Sequence, residues 1–471
     1  MSTPDYLAFL ASKHERATAH GFTPSDAHPR LFPFQRDIVT WAIRQGRAAL
    51  FADTGLGKTA MQIEWAAQVT AHASRPVLLV APLAVAAQTI AEASLMGRAI
   101  TYVRSQAEAT ASGAALCITN YDRITAFDGA AWAGVVLDES SILKSYNGKT
   151  KQALLSQFAV TPYRLACTAT PAPNDYIELG NHAEFLGVMP SSEMLMRWFI
   201  NDSMKAGGYR LKGHAEGAFW EWVASWAACV SKPFDLGYSD EGYDLPPLDI
   251  RQHTVDADVG ALMQSTGSFV ANSTMSATRL WKDKKETALP RCQVALDLVA
   301  AEPDEPWILW CSTDQEADIL KAALDPALTV EVRGSDKPEA KEAKLVAFST
   351  GKARYIVTKV KIAGFGLNWQ HCARMAFVGI TYSFEHLYQA LRRCYRFGQL
   401  REVVAHIIVA ETESNVLAVV QTKQAQHKAM QSKMSAAMRE SGLLAQRVEG
   451  LRAYHAPHAM IVPAWITKKA S

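Results

Sequence analysis

The sequence lacks paired cysteines, a dominant charge sign and any long apolar run. Its seven cysteines (Cys117, Cys167, Cys229, Cys292, Cys311, Cys372 and Cys394) stand singly, with no Cys-x-x-Cys pair. That spacing argues against both a disulfide framework and a zinc ribbon. No stretch of about 18 apolar residues occurs, so no membrane span is expected. Residues 1–20 carry charges within their first turns and no uninterrupted apolar core, unlike a signal peptide. A reducing cytoplasm is the expected setting. Lys and Arg number 48 against 46 Asp and Glu, which excludes a histone-like or basic-arm nucleic-acid binder. A local basic groove can still hide in such a total. A 49% hydrophobic share over 471 residues excludes a disordered, collagen-like or coiled-coil chain. At roughly 150 residues per domain, two or three domains are expected.

What is present is an alternation of short apolar runs with helical patterns, in two separate stretches. The first holds Ala48–Phe51, Val77–Val80, Leu116–Thr119, Val135–Leu137 and Arg164–Thr168; the second holds Trp307–Cys311, Thr329–Val332, Tyr355–Thr358, Met375–Ile380 and Val404–Val409. Short runs rich in Val, Leu and Ile read as buried parallel strands. Strands alternating with helices predict an α/β chain of two lobes. The expected organisation is an extension over 1–30, a first lobe over 31–190, a helical insertion and linker over 191–290, a second lobe over 291–415, and a helical tail over 416–471. The insertion carries Trp198, Trp220, Trp222, Trp226 and Trp281. Burial habits favour core anchors over base-stacking platforms for these rings.

Ala52-Asp53-Thr54-Gly55-Leu56-Gly57-Lys58-Thr59 follows a strand and opens a helix, the context a Walker A phosphate loop requires. Its glycines let backbone N–H groups turn toward phosphates, and the helix N-terminus adds positive potential. Lys58 is expected on the β- and γ-phosphates and the Thr59 hydroxyl on Mg²⁺. Ala52 replaces the usual leading glycine without changing the spacing. Such a site also needs a carboxylate for the metal and a base for water. Asp138 and Glu139 end an apolar strand and supply both, Asp138 as metal ligand and Glu139 as general base. Alone, an Asp-Glu pair there is more often a helix N-terminal turn; beside the phosphate loop, the catalytic reading prevails. Arg393 and Arg396 stand three apart near the end of the second lobe, on one face if the segment is helical. They are candidate arginine fingers against a γ-phosphate. Taken alone, the segment reads as a solvated basic face.

In this order the motifs resemble those of superfamily-two helicases, most closely the Swi/Snf-like DNA-dependent ATPase branch, and the chain is compact enough to suggest a bacterial or viral translocase. Leu31-Phe32-Pro33-Phe34-Gln35-Arg36 is similar to that family's adenine-recognition motif, with Gln35 on the base edge. Ile118–Asp122, Asp138–Ser141, Leu165–Pro171 and Gln389–Gln399 are similar to its further motifs, and Ala363–Asn368, with Gly366, to its glycine-rich loop. Three departures stand out: Ser140-Ser141 for Ala-His, Ala169 for glycine, and Arg392 for the glycine before the first finger.

The resemblance implies two tandem RecA-like lobes with ATP and Mg²⁺ between them. It implies a motor on duplex DNA, with RNA the less expected track and no membrane. Contacts to phosphates are implied for Thr119, Asn120 and the loop near Thr358-Lys359. A strand-separating DNA or RNA helicase on the same core, and a helicase-fold interaction module without turnover, remain alternatives.

Overall fold

The computed structural model describes residues 16–144, 148–202, 208–256, 284–363, 368–381 and 383–441. Trp281 and Gly366 lie outside them.

Each predicted strand forms. β1 (Arg47–Ala52), β2 (Val77–Ala81), β3 (Thr101–Tyr102), β4 (Leu116–Asn120), β5 (Gly134–Asp138) and β6 (Tyr163–Cys167) belong to one sheet. A hairpin, β7 (Phe199–Asp202) with β8 (Gly208–Leu211), follows, and then β9 (Ala227–Val230). The first sheet runs β3-β4-β2-β5-β6-β1-β9, parallel throughout. The second comprises β10 (Leu248–Val255), β11 (Trp307–Cys311), β12 (Thr329–Val332), β13 (Tyr355–Lys359), β14 (Arg374–Val378) and β15 (Val403–Ala410). Its order is β10-β15-β14-β11-β13-β12, again parallel. Flanking helices cover the sheets, which is why their central strands are apolar on both faces. Two tandem RecA-like lobes result.

The region expected as a helical insertion differs. It contains helix α4 (Glu216–Ala224), but β9 adds an edge to the first sheet and β10 an edge to the second. Four apolar residues in β9 are too few to show a period, and only the pairing with β1 makes them a strand. Trp198, Trp220, Trp222 and Trp226 are all buried in the first lobe's core. Trp198 stacks on Trp222 at 4.6 Å, and Trp226 meets Trp222 edge-on at 5.3 Å. These four rings are core anchors.

The remaining helices that position the site are α1 (Pro33–Gln45), α2 (Lys58–Ala73) and α3 (Leu83–Leu95) in the first lobe. In the second they are α5 (Ala288–Ala301), α6 (Asp314–Ala323) and α7 (Phe384–Leu391). The tail begins as α8 (Ser414–Ser441), about 40 Å long at 1.5 Å per residue. It starts in the second lobe's core through Val416 and ends in the first lobe's core through Met430, Met434 and Met438. That four-residue spacing puts the methionines on one helix face. Lys423 donates to Asn174 at 2.9 Å, Ser435 to Asp235 at 3.1 Å, and Lys433 pairs with Glu216.

Burial also leaves an acid-labile feature. His182, His406 and His427 are almost wholly shielded, and burial holds each at about 4. An unfolded-chain histidine titrates near 6.5. Between those values the unfolded chain binds more protons, so stability falls as pH drops from about 6.5 to 4, by roughly 3 kcal/mol at most per histidine. Among the described residues neither ring nitrogen of His427 has a hydrogen-bond partner, and its ring lies against Phe384 and Tyr388. His427→Phe should therefore flatten the acid limb of urea unfolding by about one proton. An unchanged slope between pH 7 and 4 would count against this assignment.

Candidate nucleotide site between the lobes

The parallel register brings the predicted residues of the first lobe to one edge. Leu50 of β1 lies beside Cys167 of β6, and Cys167 beside Asp138 of β5. The phosphate loop, Asp138-Glu139 and Thr168 thus leave three adjacent strands at their carboxyl ends, where open α/β sheets place ligands.

Gly55 and Gly57 have φ of 90° and 77°, a left-handed conformation that side chains disfavour. A Cβ on Gly57 would lie 2.3 Å from Gln35 Nε2, and one on Gly55 2.9 Å from Phe397 of the second lobe. Gln35 is buried, accepts from Phe32 N at 2.9 Å and donates to the Leu56 carbonyl at 2.9 Å, so α1 is tied to the loop. Asp53 N donates to the Val230 carbonyl at 2.9 Å, which makes β9 the loop's other support. Lys58 opens α2, and its Nζ donates to the carbonyls of Ala52 at 2.9 Å and Asp53 at 3.3 Å. Thr59 follows, half-buried. Thr54 and Leu56 complete the loop.

Asp138 Oδ1 accepts from Gln62 Nε2 at 2.7 Å. Gln62 stands four residues after Lys58, one helical turn on, and so faces the same way. Burial raises the Asp138 carboxyl, against the hydrogen bond from Gln62 and the charge of Lys58. Glu139 is pushed up to about 7, first by burial and then by Asp138, with Lys58 and Arg393 opposing. Its backbone has φ 54°, a left-handed turn costing on the order of 1 kcal/mol for such a residue. The turn aims Glu139 Oε2 at Thr168 Oγ1 and Gln389 Nε2, each 3.5 Å away. Hard oxygen donors on Thr59 and Asp138, beside a second buried carboxylate, fit a Mg²⁺ ion.

Ser140, which stands in place of alanine, has its hydroxyl 3.1 Å from His182 Nε2. Tyr121 OH donates to the Asp138 carbonyl at 2.6 Å. The backbone of the acidic motif is thereby fixed by residues that its own sequence does not reveal. Gln62 carries a sequence signal, its four-residue offset from Lys58; Tyr121 and His182 carry none.

The second lobe enters through one helix face. Glu385, Tyr388, Gln389 and Arg392 follow the i, i+3, i+4, i+7 spacing of neighbours on a helix. Glu385 pairs with Lys144, Gln389 faces Glu139, and Tyr388 and Arg392 hold Asp53. The condition under which Arg393 and Arg396 would share a helix face is not met. α7 ends at Leu391, and the arginines lie in the turns that follow. Arg393 is buried, with Nε on the Gln389 carbonyl at 3.0 Å and Nη2 on Gln389 Oε1 at 3.2 Å. Burial, then Arg396, lowers it to about 10, while Glu139 opposes. Arg396 is lowered by burial, and its charge acts on Glu92 of α3. The Arg393 charge thus acts on Glu139 and the Arg396 charge on Glu92, a group that also feels Asp138. Phe397 stacks on Tyr243 at 4.5 Å, and both line a cavity of about 230 Å³ with Asp53, Thr54, Arg392 and Tyr395.

Three expected phosphate contacts are not on the surface. Thr119 is wholly buried. Asn120 is buried, caps Asp122 N at 3.1 Å and donates to Tyr102 OH at 3.1 Å. Thr358 is buried and donates to the Val332 carbonyl at 3.0 Å. Lys359 is part-exposed and paired with Asp314 at 2.8 Å. All seven cysteines are buried and free. Among the described residues no helix is long and apolar enough to cross a membrane.

Residues 34–209 match the SNF2-related domain and residues 290–398 the helicase conserved C-terminal domain. The mouse protein "DNA annealing helicase and endonuclease ZRANB3" is 21% identical over 443 residues, covering 84% of this chain and 40% of that one. "Helicase ssl-1" of Caenorhabditis elegans is 35% identical over 92 residues, covering 18% of this chain and 4% of that one. The chain thus spans less than half the length of either curated relative. Both are animal proteins, so the expectation of a bacterial or viral source finds no support. The solved "Sulfolobus solfataricus SWI2/SNF2 ATPase core in complex with dsDNA" is 18% identical, with a TM-score of 0.41, covering 88% of this chain and 96% of that one. The two matched segments lie one on each RecA-like lobe, so the chain carries an SNF2-related domain followed by a helicase conserved C-terminal domain.

Proposed function

We propose that the chain is an ATP-driven motor, a DNA-stimulated ATPase that translocates on duplex DNA. The observation that carries this reading is the approach of Gln389, from the second lobe, to within 3.5 Å of Glu139 beside the phosphate loop of the first, with Arg393 hydrogen-bonded to that same glutamine. A site completed by two bodies turns over only when they meet, so its chemistry is tied to their relative motion.

In this reading the backbone of Gly55 to Lys58 and the Lys58 ammonium bind the phosphates, and Gln35 reads the adenine edge. Glu139 orients the attacking water and takes its proton. Arg393 and Arg396 balance the charge that develops on the transferred phosphoryl group. Thr59 and Asp138 hold Mg²⁺, which when bound neutralises phosphate charge. The matched SNF2-related domain and the mouse relative's name support DNA as the track. So does a second cavity, of about 250 Å³, at the carboxyl ends of β11, β13 and β14. Its lining is mostly apolar, with Trp310, Phe377, Ile380 and Leu387, but it also holds Ser312, Lys361, Thr381 and Ser383, groups able to meet backbone phosphates.

The test is ATP hydrolysis with duplex DNA, single-stranded DNA and RNA, followed by triplex displacement on the best activator. Duplex DNA should give the greatest stimulation, and Lys58→Ala none. Stimulation by RNA alone would replace this reading with that of an RNA helicase.

A further inference from the structure

We propose that Arg392, together with Tyr388, is a positioning residue that docks the second lobe on Asp53 of the phosphate loop and sets the rate of ATP turnover without DNA. The inference rests on the ATPase reading above.

Asp53 is the residue on which contacts from both lobes converge. Its Oδ1 accepts from Thr54 N at 2.6 Å and from Tyr388 OH, and its Oδ2 from Arg392 Nη2 at 2.5 Å. Its carbonyl accepts from Lys58 Nζ. One aspartate therefore carries both the tie to the second lobe and a tie to the phosphate-binding lysine. The Arg392 guanidinium also lies 5.2 Å from the Tyr388 ring centre and 5.4 Å from that of Tyr395, which holds its fork in place. The pair is largely shielded, at 16% and 12% side-chain exposure, so water screens it little.

Arg392 is the C-cap of α7, and an arginine there favours the helix dipole wherever its side chain points. That alone does not require the guanidinium to cross to the other lobe. The crossing contact consists of protein atoms only and draws the same helix face that brings Gln389 to Glu139. The dock therefore favours the closed arrangement before any track is bound. Duplex DNA lying across both lobes supplies closure by another route, so the dock matters most in its absence.

Arg392→Gln should lower DNA-free kcat/KM for ATP by about tenfold, while kcat at saturating duplex DNA stays within about twofold, so the stimulation ratio rises. Arg392→Lys, which keeps the charge, should recover most of the DNA-free rate. In an Asp53→Asn background, Arg392→Gln should have little further effect, since the partner is already gone. Equal losses with and without DNA, or no loss in either, would overturn the proposal and leave the ATPase reading standing. Failure of the unaltered protein to hydrolyse ATP under both conditions would overturn both.

Discussion

Arg393→Ala should lower kcat by about a thousandfold or more, with nucleotide affinity nearly unchanged. The side chain is buried and braced by two hydrogen bonds to Gln389, so it is already aimed when the lobes meet. Preorganised charge of this kind acts on the transition state and little on the ground state. Arg396→Ala should give a loss of the same order. Its side chain comes from the same turn but lies among different neighbours, with Glu92 rather than Glu139 acting on it. Single-turnover hydrolysis with separate nucleotide-binding titrations checks both. A loss of about twofold at either position would return that arginine to an interlobe structural role.

Arg291→Met should destabilise the second lobe by about 3–5 kcal/mol, because it strips the cation from a buried ionic cluster. Arg291 of α5 lies 2.5 Å from Glu316 and 3.0 Å from Glu413, and all three are fully shielded. Lys284 stands 3.6 Å from Glu413. Glu316 Oε2 also accepts from the backbone of Ser312 and Thr313, and Glu413 Oε2 from that of Ala410. The cluster thus pins the carboxyl ends of β11 and β15, next to the strand ends that line the second cavity. Without Arg291 two buried carboxylates share one lysine, and one must take up a proton. Chemical unfolding should show the loss, with a fall in melting temperature on the order of 10 °C. The loss should be larger at pH 8 than at pH 5, where a carboxylate is more readily neutralised. A change below about 1 kcal/mol at both pH values would refute the assignment.

The elements legible in the sequence are those whose signal is local. Runs such as Val77–Val80 and Trp307–Cys311 are buried on both faces, and the phosphate loop and Asp138-Glu139 each leave the end of such a run. β9 was illegible because four apolar residues become a strand only beside β1. The turns after Leu391 were illegible because Arg392 to Phe397 contain no helix breaker; the chain turns at Gly398, whose φ is 87°. Thr119 and Asn120 are implied as phosphate contacts by resemblance alone, yet both are buried and Asn120 spends its polar atoms on Asp122 and Tyr102. Tyr121, His182 and Tyr388 act through contacts far along the chain, and no spacing encodes those. Arg392 was visible only as a departure from a pattern.

The course of α8 has a mechanical consequence. Among the described residues the lobes are joined through the segment between β9 and β10, and again by a helix rooted in one core through Val416 and in the other through Met430, Met434 and Met438. A body tethered at one point can swing and twist in any direction. Tethered at two, it keeps one easy freedom, rotation about the line through both tethers. Each turnover would then drive a single repeatable stroke, its direction fixed by where those two crossings lie.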